Sequence, residues 1–196
     1  MRTSIRIVAG TLGGRKISCD VTPDLRPTPQ MVREAYFSIL GNAIPDRPFV
    51  DIFAGTGVVG IEALSRGASS AHFVERDPDL AKSIESHLRQ FDLTRQAKLY
   101  RTDAYRWVAA WIAPKEPVNI FLSPPFADLS QKTDDLLNAI ATLQLKAAED
   151  SVIVVQTERG SPLDEALHDW EVRRYGRNEL LIWQREITSG EASVLV

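Results

Sequence analysis

The run FVDIFAGTGVVGIEALSRG at residues 49–67 carries most of the information about fold class. Its apolar start predicts a buried strand, and the residues after the glycines predict a helix that ends at Gly67. Gly55, Gly57 and Gly60 form the pattern G-x-G-x-x-G where the strand gives way to the helix. Glycines there permit a tight turn and let the backbone approach a ligand closely. The run therefore predicts a strand–turn–helix unit that binds a nucleotide-like cofactor.

Strands and helices alternate along the rest of the chain in the same way. Strands are predicted at residues 71–77, 97–103, 118–125 and 151–158, and a helical pattern follows each of them. This alternation predicts an α/β, Rossmann-like fold with a mostly parallel sheet. The segment EVRRYGRNELLIWQRE at 171–186 has two alternating runs around a Gly-Arg-Asn turn, so we expect an antiparallel hairpin at the edge of the sheet.

The N-terminal segment predicts a small hairpin followed by a helix. Residues 5–9 and 15–19 are short runs on either side of the glycine-rich turn GTLGG, which is typical of a β-hairpin. The proline-rich residues after the hairpin are expected to be extended. Thr28 is predicted to cap the next helix, with Pro29 in the first helical position and Pro45 ending the pattern.

Length and composition fit one globular domain with a short appendage. The chain has 196 residues, of which 44% are hydrophobic and 25% charged. We divide it into an N-terminal hairpin arm with an extended linker (1–27), an α/β domain (28–186) and a tail (187–196). Cys19 is the lone cysteine, the histidines are scattered, and no apolar run is long enough to span a membrane. We therefore expect a cytoplasmic protein without a disulfide, a membrane span or a bound metal.

Charge is distributed unevenly along the chain. The net charge is −3, which alone argues against a generic nucleic-acid-binding protein. Residues 1–33 carry six basic and two acidic residues, a balance of +4, and the rest of the chain therefore carries −7. A basic arm on an acidic body indicates either a local contact with an anionic partner or a chance bias in a solvated surface. Charge alone does not separate these two interpretations.

Carboxylates lie beside the predicted turns at one edge of the sheet. Glu75 lies 20 residues after Gly55, at the end of the next strand, where an acidic side chain can accept both ribose hydroxyls of an adenosine. Asp51 would repel a pyrophosphate but could orient a cationic amino group, which favours S-adenosylmethionine over a dinucleotide. Asp103 could either accept from the adenine amine or cap the following helix. The candidate cofactor-binding residues are Asp51, Phe53, Ala54, Gly55, Gly57, Glu75, Arg76, Asp103 and Ala104.

The tetrapeptide Ser123-Pro124-Pro125-Phe126 is predicted to end the fourth strand, at the edge of the sheet where ligands bind. Two prolines fix the backbone and remove two N–H donors, which leaves carbonyl oxygens to point outward. A carbonyl and the serine oxygen could accept both hydrogens of an exocyclic amine, and the phenyl ring could stack on its base. The alternative is a rigid turn with a phenylalanine in the core. Beside the glycine turn and Glu75, we favour a catalytic role for all four residues.

The glycine turn and the Pro-Pro-Phe element together resemble class I S-adenosylmethionine-dependent methyltransferases of the amino-group type. A closer resemblance, over residues 5–186, is to the bacterial 16S rRNA guanine-N2 methyltransferase family, the RsmD-like proteins. The motifs that carry it are RIVAG…GGRK (6–16), LRPTP…VRE (25–34), DIFAGTGVVGIEALSRG (51–67), FVERD (73–77), Pro-Pro-Phe (124–126) and the terminal hairpin. The resemblance implies a Rossmann-like methyltransferase sheet.

The same resemblance implies an activity and a cofactor. The activity is methyl transfer from S-adenosylmethionine to the N2 amine of one guanine in small-subunit rRNA. By position, Gly55 and Gly57 would approach the methionine part of the cofactor. Glu75 would hold its ribose, and Asp103 would contact its adenine.

The resemblance also implies a substrate site and a partner. The Pro124 carbonyl would accept from the guanine amine, and Phe126 would stack on the base. Thr28 would reach the cofactor unless it caps the helix. The partner would be 16S rRNA or the small ribosomal subunit, bound by a monomer. The residues expected on RNA phosphates are Arg15, Lys16, Arg26 and Arg33.

Ser123 departs from the family pattern, which usually has Asp or Asn at this position. A hydroxyl carries no charge and reaches less far than either side chain. Serine occurs in amino methyltransferases that act on the N4 amine of cytosine. Three alternatives therefore stay open: a cytosine-N4 or adenine-N6 methyltransferase, a cofactor- or RNA-binding module without activity, and a nicotinamide-dependent oxidoreductase. The last leaves the Ser-Pro-Pro-Phe element unexplained.

Overall fold

A computed structural model describes residues 2–20 and 27–187 of the chain. Strands β1 (Arg2–Arg6) and β2 (Lys16–Asp20) form the predicted N-terminal hairpin, in which Ile5 pairs with Ile17. The first strand lies three residues earlier than predicted, because residues 7–15 form a loop whose backbone contacts Ser65. Within it, the backbone N–H groups of Thr11 and Leu12 donate to Ser65 at 2.7 and 2.9 Å.

Helix α1 (Gln30–Leu40) begins one residue later than predicted, and Thr28 does not cap it. Pro29 is the capping position and supplies no side-chain hydrogen bond. The Thr28 hydroxyl instead donates to Gln156 Oε1 at 2.8 Å, which joins the start of the domain to a distant strand. The capping prediction was therefore wrong, since a tertiary partner competes successfully for the hydroxyl. A short 3₁₀ turn (Gly41–Ala43) follows the helix, before Pro45.

The rest of the described chain alternates strands and helices, as predicted. The elements are β3 (Pro48–Ile52), α2 (Val58–Ser65), β4 (Ser70–Val74), α3 (Pro78–Gln90), β5 (Ala97–Tyr100), α4 (Ala104–Ala110), β6 (Asn119–Leu122), α5 (Phe126–Gln131), α6 (Thr133–Lys146), β7 (Val152–Glu158), α7 (Pro162–Ala166), β8 (Glu171–Tyr175) and β9 (Asn178–Gln184). Two of the helix ends follow directly from the sequence. Asp77 caps α3 by accepting from two backbone N–H groups, and Gly67, with φ of 100°, ends the turn after α2.

The strands that the structure describes after residue 47 form one sheet in the order β5-β4-β3-β6-β7-β9-β8. Strands β3 to β7 run parallel, whereas β9 runs antiparallel to both β7 and β8. The predicted Rossmann-like sheet with a C-terminal antiparallel hairpin is confirmed. The chain proceeds outward from β3 in one direction and returns to β6 on its other side. A crevice forms at such a switch point, at the carboxyl ends of the strands.

Helices cover both faces of the sheet, and alternate residues of the central strands enter two separate cores. Phe49 and Phe121 pack with helices α1 and α2 and with the N-terminal hairpin. Val50 and Ile120 pack on the other face, with Trp107 of α4 and with helix α6. Burial on both faces accounts for the continuous apolar runs in β3, β6 and β7. No helix in the described part of the chain combines the length and the apolar character needed to cross a lipid bilayer.

Candidate active site

A cavity of about 550 Å³ opens at the carboxyl ends of the parallel strands. One part, which we name the glycine-turn end, lies beside residues 53–56, Val58, Val59 and the end of β4. The other part, the Ser-Pro-Pro-Phe end, lies beside Thr28, residues 123–126, Gln156 and the β8–β9 turn. The cavity wall includes these predicted site residues: Asp51, Phe53, Ala54, Gly55, Glu75, Arg76, Ala104, Ser123, Pro124, Pro125 and Phe126. The structure thus brings most of the predicted site together in one place.

The glycine turn reverses the chain within a few residues. Phe53, Gly55 and Gly57 have φ values of 62°, 55° and 72°, so the backbone is left-handed at alternate positions. Gly57 does not line the cavity; a Cβ there would lie 2.9 Å from the Ile84 side chain of α3. At Gly60 a Cβ would lie 2.3 Å from the Phe73 ring. The second and third glycines therefore serve close packing of α2, while Gly55 forms the cavity wall.

Glu75 links the glycine turn to helix α3. Its Oε2 accepts from the Gly55 N–H and its Oε1 from the Asp77 N–H, both at 2.8 Å. Burial raises the pKa of Glu75, and these backbone hydrogen bonds oppose the rise. Each carboxylate oxygen keeps a further lone pair. The carboxylate is therefore held in the cavity wall with acceptor capacity left for a ligand hydroxyl.

Asp51 is an almost completely buried carboxyl group at the base of the cavity, with 1% of its surface exposed. Its Oδ2 accepts from the Gly60 N–H, in the first turn of α2, at 2.9 Å. Burial raises the pKa of Asp51 to about 8; the Gly60 hydrogen bond opposes the rise and the nearby Glu75 charge adds to it. A cationic ligand group at this end would favour the ionised form, so its binding would be linked to release of a proton.

Asp103 is the residue that caps helix α4. Its Oδ1 accepts from the Arg106 N–H at 3.1 Å, and its neighbours Thr102 and Ala104 line the cavity. The capping interpretation is thus observed. The adenine contact stays a prediction, and Asp103 itself is not among the residues that line the cavity.

Ser123 follows β6, and its hydroxyl donates to Gln156 Oε1 at 3.3 Å. Gln156, near the end of β7, also accepts from Thr28 and donates through Nε2 to Asn178 Oδ1 at 3.0 Å. Our sequence analysis missed Gln156 and Asn178. The available signal was a polar residue late in the otherwise apolar strand VIVVQTE. A buried polar side chain at the carboxyl end of a parallel strand indicates a ligand site.

Phe126 begins helix α5 and lines the cavity with 37% of its surface exposed. The alternative interpretation, a phenylalanine in the core, is therefore wrong. The buried Pro124 and the half-buried Pro125 precede it, and Pro125 occupies the capping position of the helix. An exposed ring on a rigid dipeptide is a suitable surface for a planar ligand.

The basic residues predicted to bind RNA fall into different environments. Arg15 and Lys16 lie exposed on the hairpin. The prediction for Arg33 was wrong, because its side chain is buried: it pairs with Glu62 at 3.2 Å and donates to the Thr28 and Arg6 carbonyl oxygens, both at 2.7 Å. The side of helix α1 that carries Arg33 packs against α2, where the buried Glu62 requires a cation. Arg26 lies outside the described residues.

Two exposed arginines that the sequence analysis missed lie at the Ser-Pro-Pro-Phe end. Arg177, in the β8–β9 turn, lines the cavity, and its carbonyl accepts from the Arg159 N–H at 3.0 Å. Neither guanidinium forms an ion pair with a residue in 2–20 or 27–187. Arg173 and Arg174 of the same hairpin are paired with Glu171 and Glu179.

The doubly wound sheet, the glycine turn and the Pro-Pro-Phe element beside it define the class: this is a Rossmann-like, class I methyltransferase fold. A structure from Escherichia coli described as a candidate methyltransferase, yhhF, superposes with a TM-score of 0.74 at 28% identity, over 95% of this chain and all of that one. An RNA methyltransferase from Salinibacter ruber in complex with S-adenosyl-L-homocysteine superposes with a TM-score of 0.57 at 16% identity, over 85% of this chain and 97% of that one. At that identity the second likeness concerns the fold alone.

Sequence comparison gives the particular family. The family model described as "Conserved hypothetical protein 95" matches residues 5–184, and the chain belongs to this family. A candidate rRNA methyltransferase of Bacillus subtilis, YlbH, is 34% identical over 92% of this chain and 99% of its own length. The ribosomal RNA small subunit methyltransferase D of Escherichia coli K12 is 32% identical over 93% of this chain and 90% of its own. The resemblance to the RsmD-like family drawn from the motifs is confirmed.

Proposed function

We propose that this protein transfers a methyl group from S-adenosylmethionine to the exocyclic N2 amine of a guanine in small-subunit rRNA. One observation carries the proposal: a single cavity joins the glycine turn and Glu75 to the Ser-Pro-Pro-Phe element. The relatives named rRNA methyltransferases support RNA as the substrate. We propose that the protein acts as a monomer.

The glycine-turn end suits S-adenosylmethionine better than a dinucleotide. Asp51, Glu75 and Asp77 line it, and a pyrophosphate would oppose the ionisation of these carboxyl groups, whereas an ammonium group would favour it. Glu75 presents acceptor lone pairs to the ribose hydroxyls, and Asp51 orients the amino group of the methionine part. When bound, S-adenosylmethionine supplies an electrophilic methyl group on a sulfonium.

The Ser-Pro-Pro-Phe end would receive a base turned out of its stack. Ser123 Oγ and the Pro124 carbonyl oxygen accept the two hydrogens of the exocyclic amine, which directs the nitrogen lone pair toward the methyl group. Phe126 stacks on the base and holds it in that direction. The rate enhancement then comes from positioning and from desolvation of the amine. Cys19 lies buried in the N-terminal hairpin and takes no part in the transfer.

Exposed cations on the N-terminal hairpin and at the Ser-Pro-Pro-Phe end would bind the RNA backbone. Arg15 and Lys16 contribute from the N-terminal hairpin. Arg159 and Arg177 contribute beside the Ser-Pro-Pro-Phe end, where their guanidinium groups have no carboxylate partner within the described residues. Arginine suits this role because its planar guanidinium binds phosphate in a bidentate manner. Arg177 lines the cavity, so the RNA would reach the site beside the β8–β9 turn.

Transfer of a labelled methyl group to undermodified small ribosomal subunits tests the proposal. The expected product nucleoside is N2-methylguanosine, and an equal reaction without protein is the control. Detection of N4-methylcytidine or N6-methyladenosine instead would show that the protein is a methyltransferase whose target base is cytosine or adenine. Binding of S-adenosylhomocysteine without any methyl incorporation would contradict the proposal and indicate a binding module. Binding of NAD in preference to S-adenosylhomocysteine would indicate the oxidoreductase alternative.

A further inference from the structure

Polar side chains from widely separated parts of the chain form hydrogen bonds around Gln156 at the Ser-Pro-Pro-Phe end. The members of this group, which we name the Gln156 network, are Thr28, Ser123, Gln156 and Asn178. All four line the cavity. Thr28 and Gln156 are 6% and 8% exposed, so the hydrogen bonds between them lie largely out of reach of water. A satisfied buried network of this kind holds its members in one arrangement.

The hydrogen-bonding capacity of Gln156 determines what Ser123 can do. Gln156 Nε2 donates to Asn178 Oδ1, which leaves the amide oxygen facing the other two members. That oxygen accepts from the Thr28 hydroxyl at 2.8 Å and from the Ser123 hydroxyl at 3.3 Å. A serine hydroxyl has one proton and two acceptor lone pairs. With its proton directed to Gln156, Ser123 presents only lone pairs to the cavity.

We propose that Gln156 is a positioning residue that makes Ser123 an obligate hydrogen-bond acceptor for the amine of the target base. Thr28 and Asn178 hold the Gln156 amide in the required orientation. This inference rests on the proposed function and concerns the same site. It explains how a serine hydroxyl can accept the amine hydrogen at a position where the family usually has an aspartate or asparagine oxygen.

The need for such a residue follows from the chemistry of the amine. Its nitrogen lone pair attacks the methyl carbon, the new nitrogen–carbon bond forms as the sulfur–carbon bond breaks, and one amine proton then leaves to solvent. An unrestrained hydroxyl can rotate and donate its proton to that nitrogen lone pair, which blocks the attack. A carboxylate or carbonyl oxygen has no proton to donate. By accepting the Ser123 proton, Gln156 removes the unproductive hydrogen bond and keeps the productive one.

A binding experiment measures this role without turnover. RNA pentamers with a central guanosine or a central inosine, which lacks the amine, are titrated against protein saturated with S-adenosylhomocysteine. The wild-type chain should bind guanosine about three- to tenfold more tightly, as expected for one hydrogen bond. Gln156→Ala should reduce this ratio to about one. Gln156→Glu should restore most of it, because its carboxylate can accept from Ser123 but cannot donate to it.

A matched control lies one residue further along β7. Thr157 is buried, and its hydroxyl has no hydrogen-bond partner within the described residues. Thr157→Val should leave the guanosine-to-inosine ratio unchanged. Thermal unfolding of each variant shows whether it is folded before binding is measured. A loss of ratio in Thr157→Val equal to that in Gln156→Ala would mean that general disturbance of the strand explains the effect.

A double substitution tests the role of Gln156 during turnover. Asparagine at position 123 has a carbonyl oxygen whose acceptor character does not depend on hydroxyl rotation. Gln156→Ala should therefore lower kcat about tenfold in the Ser123 chain and by less than twofold in the Ser123→Asn chain. Equal losses in both backgrounds, or a guanosine preference that survives Gln156→Ala, would overturn the inference.

Failure of the proposed function gives a different pattern. If the wild-type chain shows no guanosine preference, the pairs cytidine–uridine and adenosine–purine riboside are measured in the same way. If the wild-type chain prefers the amine-bearing member of one pair and Gln156→Ala abolishes that preference, the target base is not guanine but the role of Gln156 is supported. No preference in any pair would contradict both the proposed function and this inference.

Discussion

The two ends of the cavity are built in different ways. At the glycine-turn end, hydrogen bonds join residues close in sequence, such as Asp51 to Gly60 and Glu75 to Asp77. At the Ser-Pro-Pro-Phe end, Thr28 and Gln156 are 128 residues apart. One end is therefore a local supersecondary unit, whereas the other exists only when the N-terminal segment, β6, β7 and the final hairpin have come together. A short motif can specify the first, and only the complete fold assembles the second.

Arg33 connects Thr28, at the Ser-Pro-Pro-Phe end, to helix α2, which follows the glycine turn, so its loss tests whether the two ends depend on each other. It ties the Thr28 carbonyl to Glu62 of α2, and both charged side chains are almost fully buried. Arg33→Ala should lower the free energy of unfolding by about 3–5 kcal/mol, since it leaves a buried carboxylate with less cationic compensation. Urea unfolding measures the change. The exposed Arg15→Ala is the control and should cost less than about 1 kcal/mol.

Phe126→Ala should damage the Ser-Pro-Pro-Phe end alone. Loss of base stacking, about 1–3 kcal/mol, should reduce kcat/KM for RNA methylation by roughly tenfold to a hundredfold. The dissociation constant for S-adenosylhomocysteine, measured by calorimetry, should stay within about twofold of the wild-type value. Ile112→Ala, which removes another exposed apolar side chain away from the cavity, is the matched control. Equal losses of activity and cofactor affinity would count against the role given to Phe126.

Glu75→Ala should have the opposite effect and damage the glycine-turn end. It removes the acceptor for the Gly55 and Asp77 N–H groups and the proposed ribose contact. Affinity for S-adenosylhomocysteine should fall roughly tenfold, the value of a charge-assisted hydrogen bond. RNA affinity should be unchanged. Asp79→Ala removes a neighbouring exposed carboxylate in the first turn of α3 and should have no effect on either affinity.

The pH dependence of cofactor affinity tests Asp51 separately from Glu75. Burial raises the pKa of Asp51 to about 8, so in the empty cavity its carboxyl is protonated at lower pH. Because a ligand ammonium favours the ionised form, affinity for S-adenosylhomocysteine should rise with pH up to about 8 and level off above it. The rise should be at most about tenfold per pH unit. Asp51→Asn should flatten it; an unchanged profile in that variant would remove Asp51 from the ammonium site.

Substitution of the unpaired arginines should have the smallest effect and reach only the rim of the Ser-Pro-Pro-Phe end. Arg159→Ala and Arg177→Ala should each weaken RNA binding a few-fold. Each should also reduce by about one the slope of the logarithm of the RNA-binding constant against the logarithm of salt concentration. Arg173→Ala, on the same hairpin but paired with Glu171, should change the slope less. Fluorescence titration over a range of salt concentrations measures this. Equal slopes for all three variants would contradict the proposed phosphate contacts.

Local pattern predicted the alternating strands and helices, the glycine turn and the position of Glu75, because each of these depends on periodicity or spacing within one unit. Thr28, Arg33 and Gln156 were assigned wrongly or missed. A threonine before a proline looks like a helix cap, and an arginine in a basic segment looks exposed. Their actual partners lie 128 and 29 residues away, and no local pattern indicates such partners.

By itself, then, the amino-acid sequence determined the fold class, the family and the glycine-turn end, since hydrophobic periodicity and turn chemistry act over a few residues. Only the tertiary structure decided which arginines face solvent, which residue shares a hydrogen bond with Ser123, and that Phe126 lines a cavity instead of the core. Burial and long-range hydrogen bonding depend on how whole elements pack. A single side chain such as Gln156 therefore acquires its role only when β7 lies between β6 and β9.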